Sequence, residues 1–223
     1  MIEPKKEIIA KYIDHTLLKQ TVSIDEIKNL CIEANEFNFA SVCILPYYIP
    51  YAKEYINNKN VKICTVIGFP LGANTKESKI YETKNAISIG ANEIDMVVNL
   101  PAFFNNDYNY VENEIKEIKK ICKDNNVILK VIVETCLLNY EQKVLISKIV
   151  SNSNSDYIKT STGFSTYGAT IEDVKILKEN VSPNVGVKAS GGIKTLKSLI
   201  EMLEAGATRI GTSSAINILK EIE

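Results

Sequence analysis

Eight short apolar runs alternate with longer amphipathic segments from one end of the chain to the other. We predict that these runs are strands, and they cover residues 13–16, 40–45, 62–68, 93–99, 128–134, 157–160, 186–189 and 209–211. Several are apolar at nearly every position, which is typical of strands whose two faces are both covered. Eight such units within 223 residues predict an α/β fold, a closed (β/α)₈ TIM barrel formed by a single domain over residues 1–223.

An open, doubly wound sheet is the alternative architecture. Such a sheet normally carries a glycine-rich fingerprint directly after its first strand. Residues 14–18 read Asp-His-Thr-Leu-Leu and contain no glycine. The barrel is therefore the favoured interpretation, and in a barrel the chemistry lies at the carboxyl ends of the strands.

The segment 111–123 is an example of the predicted outer helices. Its apolar side chains fall on one stripe at helical spacing, and they are Ile115, Ile118 and Cys122. Its polar side chains are predicted to face solvent, and they are Glu114, Lys116, Lys119 and Lys120. We expect the apolar stripe to pack against the barrel.

Charge balance and cysteine content restrict the class of protein. The 26 basic and 27 acidic residues leave a net charge of −1, so no overall field attracts nucleic acid or an anionic membrane. The five cysteines are odd in number and form no C-x-x-C pair, which is typical of reduced thiols. The charged N-terminus has no apolar signal region behind it, and no apolar stretch could span a bilayer. We therefore expect a cytoplasmic protein.

Charged residues interrupt three of the apolar runs: Asp95, Lys159 and Lys188. Arg209 is the only arginine among the 26 basic residues, so the other 25 are lysines, and most must lie on the surface. Lys159 and Lys188 differ because each follows β-branched residues and precedes small ones. Each could instead reach out to water from a strand end, and Asp95 could serve only as a structural ion-pair partner.

The two lysines are predicted to point into the same barrel mouth. Two neighbouring ammonium groups repel each other, so one of them should lose its proton easily. A neutral amine at working pH is what Schiff-base chemistry requires, and Asp95 would supply a counter-charge and a proton carrier. Asp14 and Glu134 are further inward carboxylate candidates, for which a structural role is as plausible as a functional one.

Turns rich in glycine and serine follow the last three predicted strands. They contain the candidate phosphate-binding residues Gly163, Gly191, Gly192, Ser213 and Ser214. Glycine lets backbone amides approach an anion, and barrels often hold a phosphate in these loops. The two serines could instead simply cap the last helix.

A metal mechanism is not expected, because His15 is the only histidine and metal-dependent aldolases usually need several imidazole ligands. His15 is more easily interpreted as a structural residue.

The motifs as a set resemble the deoxyribose-phosphate aldolase family over nearly the whole chain. The segments that carry the resemblance are 14–18, 41–43, 67–72, 93–97, 130–135, 158–164, 187–193 and 211–214. The resemblance implies a (β/α)₈ barrel without metal or organic cofactor, a lyase that cleaves 2-deoxy-D-ribose 5-phosphate reversibly to D-glyceraldehyde 3-phosphate and acetaldehyde. By motif position, Lys159 resembles the Schiff-base lysine and Asp95 the proton-relay carboxylate. Lys188 resembles the neighbour that activates Lys159 and takes part in the proton relay.

Two features depart from the pattern of some relatives. Phe164 stands where some of them carry a basic residue, so phosphate binding is expected to depend more on backbone amides. The chain ends at Glu223, where some relatives extend further, so substrate preference or turnover is expected to differ.

Two alternatives remain at this point. One is another Schiff-base aldolase or transaldolase acting on phosphosugars, and the other is a non-catalytic phosphosugar-binding barrel. The expected partner is a small phosphosugar, not nucleic acid or a membrane, and the chain could form a homodimer or a higher homo-oligomer.

Overall fold

The computed structural model describes residues 4–222. Eight parallel strands pair in chain order and close into a barrel, because the eighth strand also pairs with the first. The strands are β1 Ile13–Leu17, β2 Ser41–Ile44, β3 Lys62–Ile67, β4 Glu93–Val97, β5 Ile128–Ile132, β6 Tyr157–Lys159, β7 Gly186–Ser190 and β8 Arg209–Thr212. The predicted barrel is thus confirmed, and each strand begins within one residue and ends within two residues of its predicted run.

Helices follow the strands and cover the outside of the barrel. They are α1 Lys6–Ile9, α2 Ile24–Phe37, α3 Ile49–Tyr55, α4 Lys76–Ile89, α5 Leu100–Phe104, α6 Tyr108–Asp124, α7 Tyr140–Asn152, α8 Ile171–Asn180, α9 Leu196–Glu204 and α10 Ala215–Lys220. Short 3₁₀ turns lie at Ala10–Tyr12, Pro46–Tyr48 and Thr135–Leu137. Several helices begin at side-chain caps, such as Ser23 before α2, whose hydroxyl accepts from the amide of Glu26. Within residues 4–222, no helix combines the length and the apolar character needed to cross a bilayer.

The main apolar core lies between the barrel wall and the helices. A second, smaller cluster lies near the carboxyl ends of β1, β2 and β3, and it consists of Leu18, Cys43, Cys64 and Val66. Buried polar and charged side chains accompany it, so the barrel interior is not uniformly apolar. Because the strands are parallel, their carboxyl ends open at a single mouth.

Helix α6 corrects one prediction. Ile115, Ile118 and Cys122 are buried as the stripe predicted, but Glu114 is also completely buried and does not face solvent. Its carboxylate lies 2.8 Å from the Nζ atom of Lys79, which is equally buried on α4. The physical reason is that Glu114 finds a counter-charge on the neighbouring helix. Burial alone lowers the pKa of Lys79 and raises the pKa of Glu114, and the contact between them opposes both changes.

Candidate active site

A cavity of about 360 Å³ opens at the carboxyl ends of the strands. The loops after β1, β6, β7 and β8 line it, and so does the side chain of Lys159. Of the candidate residues from the sequence, this cavity brings together Lys159, Gly163, Gly191, Gly192 and Ser213. It is the concave site to which the chemistry of a barrel is expected to belong.

Lys159 is the last residue of β6 and is only 2% exposed. Its Nζ atom donates a hydrogen bond to Oδ2 of Asp95 at 2.7 Å. This amine is therefore held in one position, removed from bulk water, and still reachable from the cavity. That combination suits a nucleophile that must meet a substrate carbonyl.

Lys188 lies beside Lys159 in the register of β6 and β7, but its environment is different. It is completely buried and does not line the cavity, so its side chain does not reach out to water. Its Nζ atom contacts Oδ2 of Asp95 at 2.7 Å and Oδ2 of Asp14 at 2.5 Å. Burial alone would lower the pKa of Lys188, but these two carboxylates outweigh it and raise that pKa above its ordinary value. Lys188 therefore remains a cation.

Asp95 is shared by the two lysines, because both amines donate to its Oδ2 atom at 2.7 Å. It also accepts a hydrogen bond from Nζ of Lys130 at 2.9 Å. Burial would raise the pKa of Asp95, but the three ammonium groups hold it well below its ordinary value. The carboxylate is therefore ionised when the site is empty.

Lys130 is a buried lysine of this site that the sequence analysis did not single out. It is completely buried on β5, and besides Asp95 it contacts Oε2 of Glu93 at 2.5 Å. A signal was present, because Lys130 is flanked by apolar residues on both sides and so, like Asp95, must point into the barrel. In the run 128–134 only Glu134 was a candidate site residue, and the charged interior position of Lys130 was missed.

Arg209, the first residue of β8, is partly buried and contacts two carboxylates of the barrel interior. Its Nη1 atom lies 2.7 Å from Oδ1 of Asp14 and 3.1 Å from Oε2 of Glu93. The contacts therefore close a ring of alternating charge, which we call the charge ring. It consists of Arg209, Asp14, Lys188, Asp95, Lys130 and Glu93, in that order around the ring.

The candidate phosphate loops present backbone to the cavity. Gly163, Gly191 and Gly192 all have positive φ angles, of 86°, 84° and 79°, which favour glycine. A Cβ atom added at Gly163 or Gly192 would meet nothing within 4 Å, so open space lies beside their backbone. This is the form of a cradle built from amides.

The two serines after β8 lie in different settings. Ser213 lines the cavity, whereas Ser214 is not among the residues that line it. The amide of Ser214 already donates to Oγ1 of Thr212 at 2.9 Å, and its side chain makes no capping bond to α10. Lys19 and Lys194 also line the cavity and were not singled out from the sequence.

Glu134 holds the loop that follows Lys159. Its carboxylate is buried and accepts hydrogen bonds from the amide of Thr162 at 3.2 Å and from its hydroxyl at 2.5 Å. The same hydroxyl accepts from the amide of Phe164 at 3.1 Å. Phe164 is half exposed, and its ring meets Phe69 edge-on at 5.2 Å. Glu134 therefore positions the loop that carries Gly163 and Phe164.

His15 lies outside this arrangement. It does not line the cavity, its Nε2 atom lies 2.7 Å from Glu33, and its ring packs against Phe39. Ligand atoms of Cys43, Cys64 and Asp95 lie within 4.8 Å of one another, which is close enough to hold a metal ion. The cations of Lys130 and Lys188 already share Asp95, however, and a divalent cation there would add charge of the same sign. The geometry favours amine chemistry over metal chemistry.

Comparison with known proteins agrees with this geometry. The model of the DeoC/LacD aldolase family matches residues 8–221. The deoxyribose-phosphate aldolase of Ureaplasma parvum serovar 3 is 56% identical over 208 residues, which are 93% of this chain and 96% of the relative. That of Malacoplasma penetrans is 51% identical over 215 residues, 96% of each chain.

A solved structure extends the comparison to the fold. The deoxyribose phosphate aldolase of Aeropyrum pernix, described as tetrameric, superposes with a TM-score of 0.91 at 33% identity. The match covers 97% of this chain and 92% of that one. The chain therefore belongs to the DeoC/LacD family of aldolases.

Proposed function

We propose that the chain is an aldehyde-lyase that reversibly cleaves 2-deoxy-D-ribose 5-phosphate to D-glyceraldehyde 3-phosphate and acetaldehyde. The observation that carries this proposal is the amine of Lys159, which is held by a buried carboxylate and opens on the cavity beside the glycine loops. The relatives compared above bear the name of this activity.

The reaction begins when the neutral amine of Lys159 attacks the aldehyde carbon of the open-chain sugar. Loss of water gives an iminium, which withdraws electrons from the bond between the second and third carbons. That bond breaks as the third-carbon hydroxyl loses its proton, which releases glyceraldehyde 3-phosphate and leaves an enamine. Protonation of the enamine and hydrolysis then release acetaldehyde and restore Lys159.

Each proton in this sequence needs a carrier near the amine. Asp95 is ionised and in contact with Lys159, so it is placed to accept a proton and to return it, with a water molecule in the cavity. Lys188 is separated from the cavity, so we assign it the role of holding Asp95 and Asp14 ionised. It acts on Lys159 through the shared carboxylate.

The phosphate is proposed to bind where Gly163, Gly191 and Gly192 expose backbone to the cavity, with Ser213 beside them. Lys194, in the loop after β7, could add a positive charge at the rim. Binding at this end orients the sugar, so remote binding energy can place the aldehyde at Lys159. Deoxyribose without phosphate should be cleaved much less efficiently than its 5-phosphate.

Borohydride trapping with acetaldehyde tests the mechanism directly. We expect the wild-type chain to gain a reduced two-carbon unit that peptide mass analysis places on Lys159. Lys159→Ala should lose both the adduct and turnover, while Asp95→Asn should still form the imine but slow the proton transfers. A unit found on Lys188 would reverse the assigned roles, and an active preparation without any lysine adduct would contradict the mechanism.

The same assays separate the alternatives. A transaldolase would transfer a three-carbon unit to an acceptor aldehyde, and a binding protein would gain no mass on borohydride treatment.

Residues 1–223 are proposed to act as one domain in a cytoplasmic homo-oligomer. The five cysteines, all free in the structure, and the tetramer described for the Aeropyrum pernix relative support this assignment.

A further inference from the structure

The charge ring passes through the barrel and connects its two ends. Arg209 and Glu93 are the first residues of β8 and β4, and both line a second cavity of about 460 Å³ at the amino ends of the strands. Lys159 lies at the opposite mouth, on the last residue of β6. Two chains of contacts join these ends and meet at Asp95.

Each chain of contacts alternates in charge. One runs from Arg209 through Asp14 and Lys188 to Asp95, by contacts of 2.7, 2.5 and 2.7 Å. The other runs from Arg209 through Glu93 and Lys130 to Asp95, by contacts of 3.1, 2.5 and 2.9 Å. With three cations and three anions, the charge ring is electrically neutral without Lys159.

Lys159 stands outside this balance. Among residues 4–222 its one ion-pair partner is Asp95, which also pairs with Lys130 and Lys188 of the ring. A proton on Lys159 therefore gives Lys159 and the charge ring together a net charge of +1. An unbalanced charge that is removed from water is costly.

We propose that the neutral charge ring makes Lys159 the lysine of this site that gives up its proton. Arg209 and Glu93, at the opposite end of the barrel, then help to set the pH at which Lys159 loses it. They are positioning residues, because they act on Lys159 only through the ring and do not reach the cavity where the substrate binds. The inference rests on the proposed function, since imine formation on Lys159 is its readout.

Other titratable groups surround Lys159 besides the ring. Cys43 and Cys64 face the interior from β2 and β3, and Glu134 lies in the loop after β5. Burial raises the pKa of Cys64 well above its ordinary value, whereas the hydrogen bond from Cys64 lowers the pKa of Cys43. Cys43 is thus the thiol that could add a negative charge, and Cys43→Ser serves as a control for it.

The test changes the ring charge in both directions and measures the pH at which the trapped adduct on Lys159 is half formed. Glu93→Gln leaves a surplus positive charge, so protonated Lys159 becomes less favourable and the midpoint should move to lower pH. Arg209→Met leaves a surplus negative charge, so the midpoint should move to higher pH. A single buried charge a few contacts away should shift the midpoint by about one pH unit.

Matched controls keep the charge and change only the shape. Glu93→Asp and Arg209→Lys should leave the midpoint within a few tenths of a unit of wild type, as should Cys43→Ser. Circular dichroism checks that each variant is folded, and if Arg209→Met does not fold, the pair Glu93→Gln and Glu93→Asp still decides the question.

The outcomes separate the inference from the proposed function. If wild type forms no adduct on Lys159, the proposed function fails. If the adduct forms but the folded charge variants keep the wild-type midpoint, or both move it the same way, the charge ring does not set the proton on Lys159. A purely structural role would not move the two variants in opposite directions.

Discussion

Replacing Glu114 by Gln should destabilise the chain strongly, although Glu114 lies outside the cavity. The substitution keeps the shape and keeps an acceptor for the amide of Asn99, which Oε2 of Glu114 now accepts at 3.1 Å. It removes the only anion that pairs with Lys79 in the described part of the chain, and the Lys79 side chain is completely buried. Breaking one side of a buried ion pair costs about 3–5 kcal/mol, because the remaining charge is uncompensated.

For a chain of this size each kcal/mol lowers the unfolding midpoint by about 2–4 °C, so Glu114→Gln should lower it by roughly 10 °C. Thermal and urea unfolding followed by circular dichroism measure the change. Lys79→Met in the same background removes the stranded charge, so the double variant should recover part of the loss despite the unsatisfied carbonyl of Val97, to which Lys79 now donates at 2.9 Å. The prediction is wrong if the free energy of unfolding of Glu114→Gln lies within about 1 kcal/mol of wild type. It is also wrong if the losses of Glu114→Gln and Lys79→Met simply add in the double variant.

Three further predictions concern the site. Lys188→Met should keep a slow borohydride adduct on Lys159 but move its formation to higher pH, which trapping across a pH series measures. Thr162→Val should raise KM for the 5-phosphate about tenfold with little change in kcat, because it removes the hydrogen bond from the Thr162 hydroxyl to the buried carboxylate of Glu134. Thr162→Ser keeps the hydroxyl and should behave like wild type in steady-state kinetics. The pKa values of Asp14 and Asp95 are depressed in the folded chain, so their stabilising contribution is complete above pH ~4 and is lost as the pH falls further. The unfolding temperature should therefore decrease as the pH is lowered from ~4 to ~2. In Asp95→Asn this decrease should be smaller, and the unfolding temperature at neutral pH should be lower than that of wild type.

The barrel could be predicted from the sequence because its strands are short, apolar and separated by helical segments. The ends of the strands were less certain. The run 93–99 was predicted as one strand, but β4 ends at Val97 and the side chain of Asn99 caps α5 by accepting from the amide of Ala102. Apolar character continues past the last ladder hydrogen bond, so composition alone does not show where pairing stops.

Lys159, Lys188 and Asp95 could be selected because a charged residue inside an apolar run must be accommodated within the barrel. Their contacts could not be predicted, since these depend on the register between strands distant in sequence. The pairing of Glu114 with Lys79 depends instead on how helices α6 and α4 pack against each other, which the sequence did not show. Glu114 is three residues after Val111 and four before Ile118, so helical spacing already placed it beside the buried stripe.

The Arg209 and Asp14 contact lies at the seam of the barrel, where β8 meets β1 and the sheet closes on itself. The two residues are 195 positions apart, and they meet where the first and last strands of the sheet come together. An open sheet would leave Asp14 and Glu93 without their guanidinium partner. Barrel closure and the balancing of charge in the interior are therefore the same event. During refolding, the amine of Lys159 should gain its reactivity only when the last strand docks, and a fragment that lacks β8 would contain Lys159 without the environment that makes it a nucleophile.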